Sequence, residues 1–495
     1  MVSLRRLLSS ASFVGATDIV AADVTERSVD CTPGCLFAAI PGTQVNGIDF
    51  VDDAIANGAA TILTGEPLPQ VSAPQCIVPN VREAFSQICQ AVNRSPSRRM
   101  DITGITGTNG KTTVTWLLRS ILNTAEYKSG LLGTIEIDNG DVTADAQLTT
   151  PDSLTFARQL SLMVDNGCTH AAVELSSHAL DQSRVAGITL AAAVITNVTQ
   201  DHFDYHGGFK RYCDSKSEIV SLCRDGVPVW INADDEGCEV VAGRLDDNVI
   251  VKRFGIHCTA DVRARILRSD RLGSHFEVTH PDGTFEAFTS LVGEHNVSNC
   301  LAAITAALQL GVDVNDIVDG LRAAKTVPGR MQRINLGQPF EVFVDYAHTE
   351  DALQHVIRTA RQLDTDRIIC VVGAGGDRDQ TKRPQLGKAA SQADVAVVTS
   401  DNPRSEDPST IIEQIANGID NSNTTVVIEP DRAAAIKEAV QIARANDTIL
   451  ITGKGHETTQ VVGATTIPFD DRIVARRCIA DLMATTAWKN KRVGA

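Results

Sequence analysis

The chain has 495 residues, about three times the usual domain length of roughly 150, which predicts several hydrophobic cores, three in the simplest division. Its composition, with 43% hydrophobic and 21% charged residues, is typical of a globular protein and not of a disordered one. A formal net charge of −16 argues against nucleic acid or an anionic membrane surface as a partner, because phosphates would be repelled unless basic residues cluster locally.

The twelve cysteines lie in apolar segments of a long chain, a pattern that favours buried free thiols over disulfides. Cys31 and Cys35 have no second Cys/His pair at zinc-ribbon spacing, which disfavours a structural metal. Residues 1–15 lack the apolar run of a signal peptide, and no segment approaches the about 18 apolar residues of a membrane span. We therefore expect a cytoplasmic protein.

Two breaks in the pattern predict the domain boundaries. The polar segment Ser95–Arg99 precedes a strand-like run, and the Val327–Arg330 turn separates an Ala-rich helix (296–310) from the strand at 340–344. We therefore predict domains at 1–98, 99–330 and 331–495.

Short β-branched runs alternate with helical stretches through the second and third domains, which predicts an α/β fold with parallel sheets covered by helices. The predicted strands are 171–175, 192–196, 368–372, 395–399, 424–428 and 448–452. Polar motifs follow several of these runs, as expected for ligand sites at the carboxyl ends of parallel strands.

The segment GITGTNGKTT (104–113) follows a strand-like run and precedes a helical one, as in phosphate-binding loops. Its glycines let backbone N–H groups face the phosphates, and the helix start adds positive potential. Lys111 would reach the β- and γ-phosphates and Thr112 would hold Mg²⁺, although Ile105 stands where the strict motif has glycine. We predict that ATP is bound by Gly107, Thr108, Asn109, Gly110, Lys111, Thr112 and Thr113.

A nucleotide-dependent switch would contain the same loop, so other residues must decide the chemistry. The GTNGKTT block is accompanied by VELSSH (173–178), NVTQDH (197–202) and YCDSK (212–216), and together these motifs resemble the Mur ligases. The resemblance covers nearly the whole chain. It implies that ATP phosphorylates a substrate carboxylate and that an amine then attacks the acyl phosphate.

The resemblance also implies the role of each domain: an N-terminal α/β domain that binds the UDP substrate, a central P-loop ATPase-like parallel-sheet domain, and a C-terminal Rossmann-like α/β domain that binds the amino acid. Glu174 and His202 would be ligands of a second Mg²⁺, since they supply a hard oxygen and an imidazole. Lys216 would be carbamylated and so become an anionic metal ligand; an unmodified surface lysine is the alternative.

The same resemblance implies contacts to UDP-N-acetylmuramoyl-L-alanyl-D-glutamate, in which the planar fork of an arginine suits a carboxylate or phosphate. These contacts would come from Ser28, Thr43, Gln44, Val45, Thr149, Thr150, Ser176, Gln182 and Arg184. Ser28 lies between Arg27 and Val29 where the family has Asp-Ser-Arg, so contacts of the flanking side chains are not carried over.

Further elements of the nucleotide site are implied by Gly293–Asn296, Pro328–Arg330 and Asp345–His348. Asn296 would lie on the adenine side, and Arg330 and Asp345 would approach ATP when the third domain closes, excluding water from the acyl phosphate. The family usually has Pro at position 350, where this chain has Glu350.

The identity of the amine is predicted from three motifs of the last domain. Meso-diaminopimelate carries a second amino-acid head, whose carboxylate calls for arginine forks and whose ammonium calls for an acidic partner. An arginine at position 404 accompanies diaminopimelate in this family, whereas lysine-adding relatives usually lack it. We predict that this ligand is bound by Arg378, Asp401, Asn402, Pro403, Arg404, Gly453 and Glu457.

Three alternatives remain at this point: the same ligation with L-lysine, a folylpolyglutamate synthetase-like ligase, and a nucleotide-dependent switch. The folate enzyme should lack the N-terminal uridine domain, and a switch would not need Lys216 or an amine pocket. We expect a monomer that uses ATP with Mg²⁺ and binds neither nucleic acid nor membrane.

The first test is Lys111→Ala. Because Lys111 is predicted to neutralise the transferring phosphate, its removal should lower turnover by about a hundredfold or more while leaving the fold intact. Phosphate release measures the turnover, and circular dichroism checks that the fold is intact. Substantial activity in a folded variant would contradict the role of Lys111.

Overall fold

A computed structural model describes residues 1–42 and 45–485, which form two compact units. The first unit comprises Met1–Arg265, Val278–Phe285 and Ser298–Ala323, and the second comprises Ile266–Glu277, Glu286–Val297 and residues 324–485. In these described ranges, none of the helices has the length and apolarity that crossing a membrane requires. All twelve cysteines are free thiols and nine are buried, which confirms the prediction made from their apolar surroundings.

The first part of unit one is a small α/β layer. Its elements are β1 (Val2–Ser3), α1 (Leu4–Leu7), β2 (Ser12–Val14), β3 (Val20–Ala21), β4 (Val24–Thr25), β5 (Leu36–Ala38), α2 (Val51–Ala56), β6 (Thr61–Thr64), β7 (Gln75–Ile77) and α3 (Val81–Val92). The sheet order is β2-β7-β6-β5-β4, parallel except for the edge strand β2. Ser95–Arg99, predicted as a linker, contains a single 3₁₀ turn at Pro96–Arg98.

A larger sheet follows. Its elements are β8 (Asp101–Thr106), α4 (Lys111–Thr124), β9 (Ser129–Leu132), β10 (Glu136–Asp138), β11 (Thr143–Asp145), α5 (Ser153–Asp165), β12 (His170–Glu174), α6 (Ser177–Asp181), β13 (Ala192–Ile195), α7 (Phe203–His206), α8 (Phe209–Ser217), β14 (Val229–Asn232), α9 (Glu236–Ala242), β15 (Val251–Gly255), β16 (Val262–Asp270), β17 (Gly273–His280), β18 (Gly283–Thr289), α10 (Glu294–Gln309) and α11 (Val314–Ala323).

The strands β9-β12-β8-β13-β14-β15 are parallel neighbours in that order, and β10 and β11 extend one edge antiparallel. Every residue of β12 and β13 is buried, because helices cover both faces and the strands are continuous apolar runs. Helix α4 packs closely on α11: Ser120 Oγ donates to Gly320 O at 2.8 Å, and a Cβ at Gly320 would collide with the Ile121 backbone. The phosphate-loop helix is thereby held against the sheet.

Unit two carries the last sheet. Its elements after residue 330 are β19 (Gln332–Arg333), β20 (Glu341–Asp345), α12 (Glu350–Arg361), β21 (Ile368–Val372), α13 (Lys382–Ala390), β22 (Val395–Val398), α14 (Pro408–Ala416), β23 (Thr425–Ile428), α15 (Arg432–Ile442), β24 (Thr448–Thr452), β25 (Thr459–Val462), β26 (Thr465–Pro468) and α16 (Asp471–Ala484). The order is β19-β20-β24-β21-β22-β23, parallel except for the edge strand β19.

The predicted α/β class is confirmed, and the six predicted strands agree with β12, β13, β21, β22, β23 and β24 to within one residue at each end. The atypical Glu350 is explained by its position. Thr349 caps α12 by accepting from Ala352 N, so Glu350 is the first residue of the helix. Proline and acidic residues both suit that position, the first for its fixed φ and the second for the helix dipole.

A buried ion pair holds two strand ends of this sheet in place. Arg432 and Asp471 are both buried, and two guanidinium nitrogens donate to the two carboxylate oxygens at 2.8 and 2.7 Å. The guanidinium also donates to Thr452 O at 2.8 Å and to Ser400 O at 3.5 Å. Arg432 therefore connects the ends of β24 and β22, where the predicted amine-binding motifs begin.

Asp471→Asn should destabilise unit two by roughly 3 kcal/mol, because it leaves the buried Arg432 guanidinium without its main counterion. Native-state hydrogen exchange of the β24 amides measures the change within this unit. Asp481→Asn, on the exposed side of α16, is the matched control and should have no effect. Equal protection of β24 in both variants would contradict a structural role for the pair.

Candidate active site

The phosphate loop lies between the end of β8 and the first residue of α4, Lys111. Gly107 and Gly110 have φ values of +145° and +88°, which side chains rarely adopt. A Cβ at Gly107 would collide with Thr196 Oγ1, and one at Gly110 would collide with Asn299 Oδ1. Both positions therefore require glycine.

Contacts from the β13 end fix the loop conformation. Thr108 N donates to Asn197 O and Asn109 N to Asn197 Oδ1, each at 2.8 Å, and Thr196 Oγ1 donates to Asn109 O at 2.6 Å. Lys111 Nζ donates to Gly107 O at 2.8 Å and to Thr108 O at 2.9 Å, so its ammonium lies over the loop. These hydrogen bonds hold the loop in one conformation.

Glu174 ends β12 and is fully buried. Its carboxylate accepts from Thr112 Oγ1 at 3.0 Å, from Thr134 N at 2.8 Å and from Thr134 Oγ1 at 2.9 Å. The structure thereby brings together Thr112 and Glu174, two residues that the sequence analysis assigned to two different Mg²⁺ ions. Thr134 was not predicted, because a single threonine after a short strand has no motif around it.

The predicted substrate residues 149, 150 and 176 lie beside this carboxylate. Thr134 Oγ1 lies 3.1 Å from Thr149 Oγ1, and Thr150 Oγ1 donates to the backbone oxygen of Glu174 at 2.7 Å. Ser176 N in turn donates to Thr150 Oγ1 at 3.0 Å. Ser176 also caps α6, so its hydroxyl is held at the start of that helix.

Arg184 and Gln182 are joined by two hydrogen bonds, from Arg184 Nε at 2.9 Å and Nη2 at 2.6 Å to Gln182 Oε1. Arg184 Nη1 also donates to Thr150 O at 3.3 Å, and Gln182 Nε2 donates to the Tyr205 hydroxyl at 2.9 Å. The guanidinium is therefore held in one orientation next to Thr150, which a solvated arginine would not be.

His202 follows β13 in a left-handed conformation, with φ of +51°. Its Nε2 lies 3.3 Å from Asp201 Oδ2, and its ring packs edge-on against the His178 ring with centroids 4.8 Å apart. About half of the His202 side chain is exposed. An imidazole in this position can reach a bound ligand.

Lys216 lies inside the protein with 1% relative exposure, and its ammonium is 4.4 Å from the centre of the Tyr212 ring. Burial, followed by repulsion from Lys111, lowers the pKa of the Lys216 amine well below its ordinary value. Tyr212 in turn hydrogen-bonds Thr108 Oγ1 at 3.0 Å, which links this helix to the phosphate loop. Lys216 is therefore not a surface lysine.

The predicted uridine contacts lie in the N-terminal layer. Ser28 is buried in a 3₁₀ turn, where its backbone oxygen accepts from Asn57 Nδ2 at 3.0 Å, and Val45 is exposed. Thr43 and Gln44 lie outside the described residues.

Unit two contains the remaining predicted nucleotide residues. Asn296 Nδ2 donates to Val292 O at 2.8 Å, near the start of α10. Arg330 stacks on the Tyr346 ring, with its guanidinium carbon 4.8 Å from the ring centre. Asp345 accepts from Met331 N and Ala347 N at 2.6 and 2.8 Å, and burial raises the pKa of its carboxyl.

The predicted amine-binding motifs converge beyond β21, β22 and β24. Arg404 adopts φ of +51°, and its Nη1 donates to Gly376 O at 2.6 Å. Asn402 Nδ2 donates to Glu457 Oε2 at 2.8 Å, which joins two of the motifs directly. A Cβ at Gly453 would lie 2.6 Å from Asp401 Oδ2, so a side chain there would displace this carboxylate.

The other two predicted residues of this group complete the site. Pro403 follows Asn402, and its backbone oxygen would collide with a Cβ at Gly376. Arg378 is exposed and donates to Asp377 O at 3.4 Å, so its guanidinium is accessible from solvent. Lys454, which directly follows the predicted Gly453, lies buried between Asn402 and Glu457.

Three family profiles match consecutive parts of the chain. They are described as "Mur ligase family, catalytic domain" at residues 23–93, "Mur ligase middle domain" at 105–307 and "Mur ligase, glutamate ligase domain" at 329–455. The profiles thus follow the same three-part order as the motifs.

A protein from Geobacillus thermodenitrificans (strain NG80-2) named UDP-N-acetylmuramoyl-L-alanyl-D-glutamate--2,6-diaminopimelate ligase is 40% identical over 474 residues, covering 94% of this chain and 96% of the relative. One of the same name from Gloeobacter violaceus (strain ATCC 29082 / PCC 7421) is 41% identical over 469 residues, covering 94% of each. A solved structure with this name is 30% identical with a TM-score of 0.67, covering 94% of this chain and 96% of that one. The chain therefore belongs to the Mur ligase family and is an ATP-dependent ligase that forms amide bonds in peptidoglycan synthesis.

Proposed function

We propose that this ligase adds meso-diaminopimelate to UDP-N-acetylmuramoyl-L-alanyl-D-glutamate through an acyl phosphate. The observation that carries the proposal is the convergence of Arg404, Asn402 and Glu457 at one end of the last sheet. This group combines an arginine fork for a carboxylate with an acidic side chain for an ammonium. Relatives that carry the name of this reaction support the same assignment.

The ATP site is assigned to the loop 107–113, with Asn296, Arg330 and Asp345 as further nucleotide contacts. Phosphoryl transfer needs alignment and neutralisation of charge more than covalent help from the protein. The side chains around Glu174 are suitable ligands for Mg²⁺. The hard carboxylate of Glu174 accepts a hydrogen bond from the hydroxyl of Thr112, and the His202 imidazole lies in the segment after β13. When bound, Mg²⁺ would neutralise the phosphate oxygens.

Over residues 1–42 and 45–485, no group of three His, Cys, Asp or Glu side chains is arranged to hold a metal ion. This is compatible with Mg²⁺, which usually binds one or two carboxylates together with substrate phosphates and water. The remaining ligands would therefore come from ATP, from Thr112 and from Lys216 after modification.

The donor substrate is assigned to two groups of residues. Ser28, Thr43, Gln44 and Val45 would contact the UDP part, and Thr149, Thr150, Ser176, Gln182 and Arg184 would contact the muramoyl peptide. The contact between Arg184 and Thr150 supports this assignment, because it places a cation beside Glu174 and the metal donors. A carboxylate bound there would lie near the transferred phosphate.

We further infer domains at 1–98 for the UDP substrate, 99–330 for ATP and 331–495 for the amino acid, in a monomeric cytoplasmic enzyme. The three family profiles fall within these ranges apart from residues 329 and 330.

The environment of Lys216 supports its carbamylation. Burial lowers the pKa of the Lys216 amine, which favours the neutral form, and only the neutral amine can attack CO₂. Addition of CO₂ releases one proton and gives a carbamate anion whose oxygens suit Mg²⁺. The modified side chain would thus remove the repulsion between Lys216 and Lys111.

The amine is tested with a panel of amino acids assayed with ATP and UDP-N-acetylmuramoyl-L-alanyl-D-glutamate. We expect meso-diaminopimelate to be used in preference to L-lysine. Arg404→Ala should lower kcat/KM for meso-diaminopimelate by about 10- to 100-fold, the usual range for a hydrogen bond to a charged group, and lower kcat/KM for lysine much less.

The matched control is Arg476→Ala, which removes an exposed arginine of the same unit on α16 and should leave both rates unchanged. Preference for L-lysine in the wild type would overturn the assigned amine. An Arg404→Ala enzyme with an unchanged ratio between the two amines would overturn the role of this arginine.

The modification is tested with Lys216→Ala, which should be inactive and should regain part of its activity when acetate or formate is added. A small carboxylate can occupy the space of the lost carbamate and supply its oxygens. Lys210→Ala, an exposed lysine of the same helix, should remain active without any additive. Absence of rescue in a folded Lys216→Ala protein that still binds ATP would count against carbamylation.

A further inference from the structure

Lys454 is a buried charge within the predicted amine site to which no role has been assigned. Its side chain has 0% relative exposure, whereas that of Glu457, three residues later in the sequence, has 32%. Lys454 Nζ donates to Glu457 Oε2 and to Asn402 Oδ1, each at 2.9 Å. A cation is therefore placed behind the carboxylate, on the side away from solvent.

Asn402 completes the arrangement, and its contacts define which way its amide points. Its Oδ1 accepts from Lys454 Nζ at 2.9 Å and from Val461 N at 3.0 Å, so the oxygen faces two donors. Its Nδ2 must then face the carboxylate, where it donates to Glu457 Oε2 at 2.8 Å. Reversing the amide would place its nitrogen against both donors, so the orientation is determined.

Both donors bond to the same oxygen of Glu457. Oε2 accepts from Asn402 and Lys454, whereas Oε1 accepts no hydrogen bond from the part of the chain that the structure describes. A glutamate otherwise rotates about three side-chain bonds, and holding it in one rotamer removes much of that freedom before the ligand arrives. Oε1 is left to accept from a ligand.

We propose that Lys454 is a positioning residue for amine selection: with Asn402 it holds Glu457 so that Oε1 receives the second ammonium group of a diamino acid. This inference rests on the proposed function, since it assigns a task to Glu457 in binding meso-diaminopimelate. Lys454 acts through Glu457 and does not touch the substrate, because its ammonium is enclosed by the two side chains.

The arrangement separates two tasks of the site. Arg404, whose Nη1 donates to Gly376 O, is assigned to bind a carboxylate of the ligand. Glu457 is assigned to bind an ammonium group. Lys454 lies 2.9 Å from Glu457 Oε2, so this carboxylate is not an isolated negative charge that would attract any cation. A ligand must therefore offer a carboxylate and an ammonium at the correct separation to use both groups.

The test is a double-mutant cycle with Lys454→Met and Glu457→Gln, measured with saturating ATP and UDP-N-acetylmuramoyl-L-alanyl-D-glutamate. Methionine keeps the length of the buried side chain and removes its charge. Lys454→Met should raise KM for meso-diaminopimelate by about tenfold or more with a smaller change in kcat, the size expected for a hydrogen bond to a charged group. KM for ATP should be unchanged.

In the Glu457→Gln background, the same Lys454→Met change should alter kcat/KM by less than about threefold, because a residue that acts through Glu457 has nothing left to position. A merely structural lysine would produce the same loss in both backgrounds. Lys388→Met, an exposed lysine on α13 of the same unit, is the matched control and should behave as the wild type.

Equal losses in the two backgrounds, or a parallel rise of KM for ATP, would overturn the inference. An unchanged KM for meso-diaminopimelate in Lys454→Met would overturn it as well. If Lys454→Met does not fold, Lys454→Gln replaces it with the same expected outcomes. Failure of the proposed function is distinguishable, because in that case the wild-type enzyme itself would not use meso-diaminopimelate.

Discussion

The site depends on a carboxylate buried at the end of a parallel strand. Glu174 is fully enclosed, and a charge in that position is tolerated only when its lone pairs are matched by donors. The donors come from the first turn of α4 and from Thr134, so satisfying one side chain also fixes the phosphate-loop helix relative to β12. The backbone oxygen of Glu174 also accepts a hydrogen bond from Thr150 Oγ1, which extends the same constraint to the predicted donor-substrate residues. Moving this carboxylate would disturb three elements at once.

Two buried lysines illustrate how environment decides what an amine can do. Lys216 faces an aromatic ring, and burial together with repulsion from Lys111 lowers the pKa of its amine. Lys454 faces a carboxylate at 2.9 Å and an amide oxygen at the same distance, and its Nζ donates to both. The first environment suits chemical modification and the second suits positioning. Burial alone would not distinguish them, because both side chains have exposures of about 1% or less.

Much of the fold could be predicted from the sequence, because β12, β13, β21, β22 and β24 are apolar runs whose ends carry polar motifs. The phosphate loop was also predictable, since glycines and a lysine at that spacing typically bind nucleotide phosphates. Thr134 and Asn299 were missed. Their contacts to Glu174 and Gly110 arise from tertiary packing, and neither residue lies in a pattern that would indicate its partner.

Lys454 was missed for a different reason: it lies between the predicted residues Gly453 and Glu457, but the sequence does not show whether a lysine points to solvent or into the protein. The direction matters because it changes what the neighbouring carboxylate can do. An exposed lysine would leave Glu457 free to rotate, whereas the buried one holds it through a single oxygen.

In the proposed site, selection between diaminopimelate and lysine would follow from the hydrogen-bonding groups of the protein that the smaller ligand leaves without a partner. Lysine carries a second ammonium group and could satisfy Glu457, but it has no second carboxylate for Arg404. A site built to bind a polar group rejects a ligand that lacks the group, because its own buried donor then loses water without gaining a partner. Among the side-chain hydrogen bonds of the described residues, Arg404 donates through Nη1 to Gly376 O, so in the proposed site the rest of its fork is left to bind a carboxylate. The free-energy cost of an unpaired Arg404 therefore arises when lysine binds, and discrimination needs no steric exclusion of the smaller amino acid.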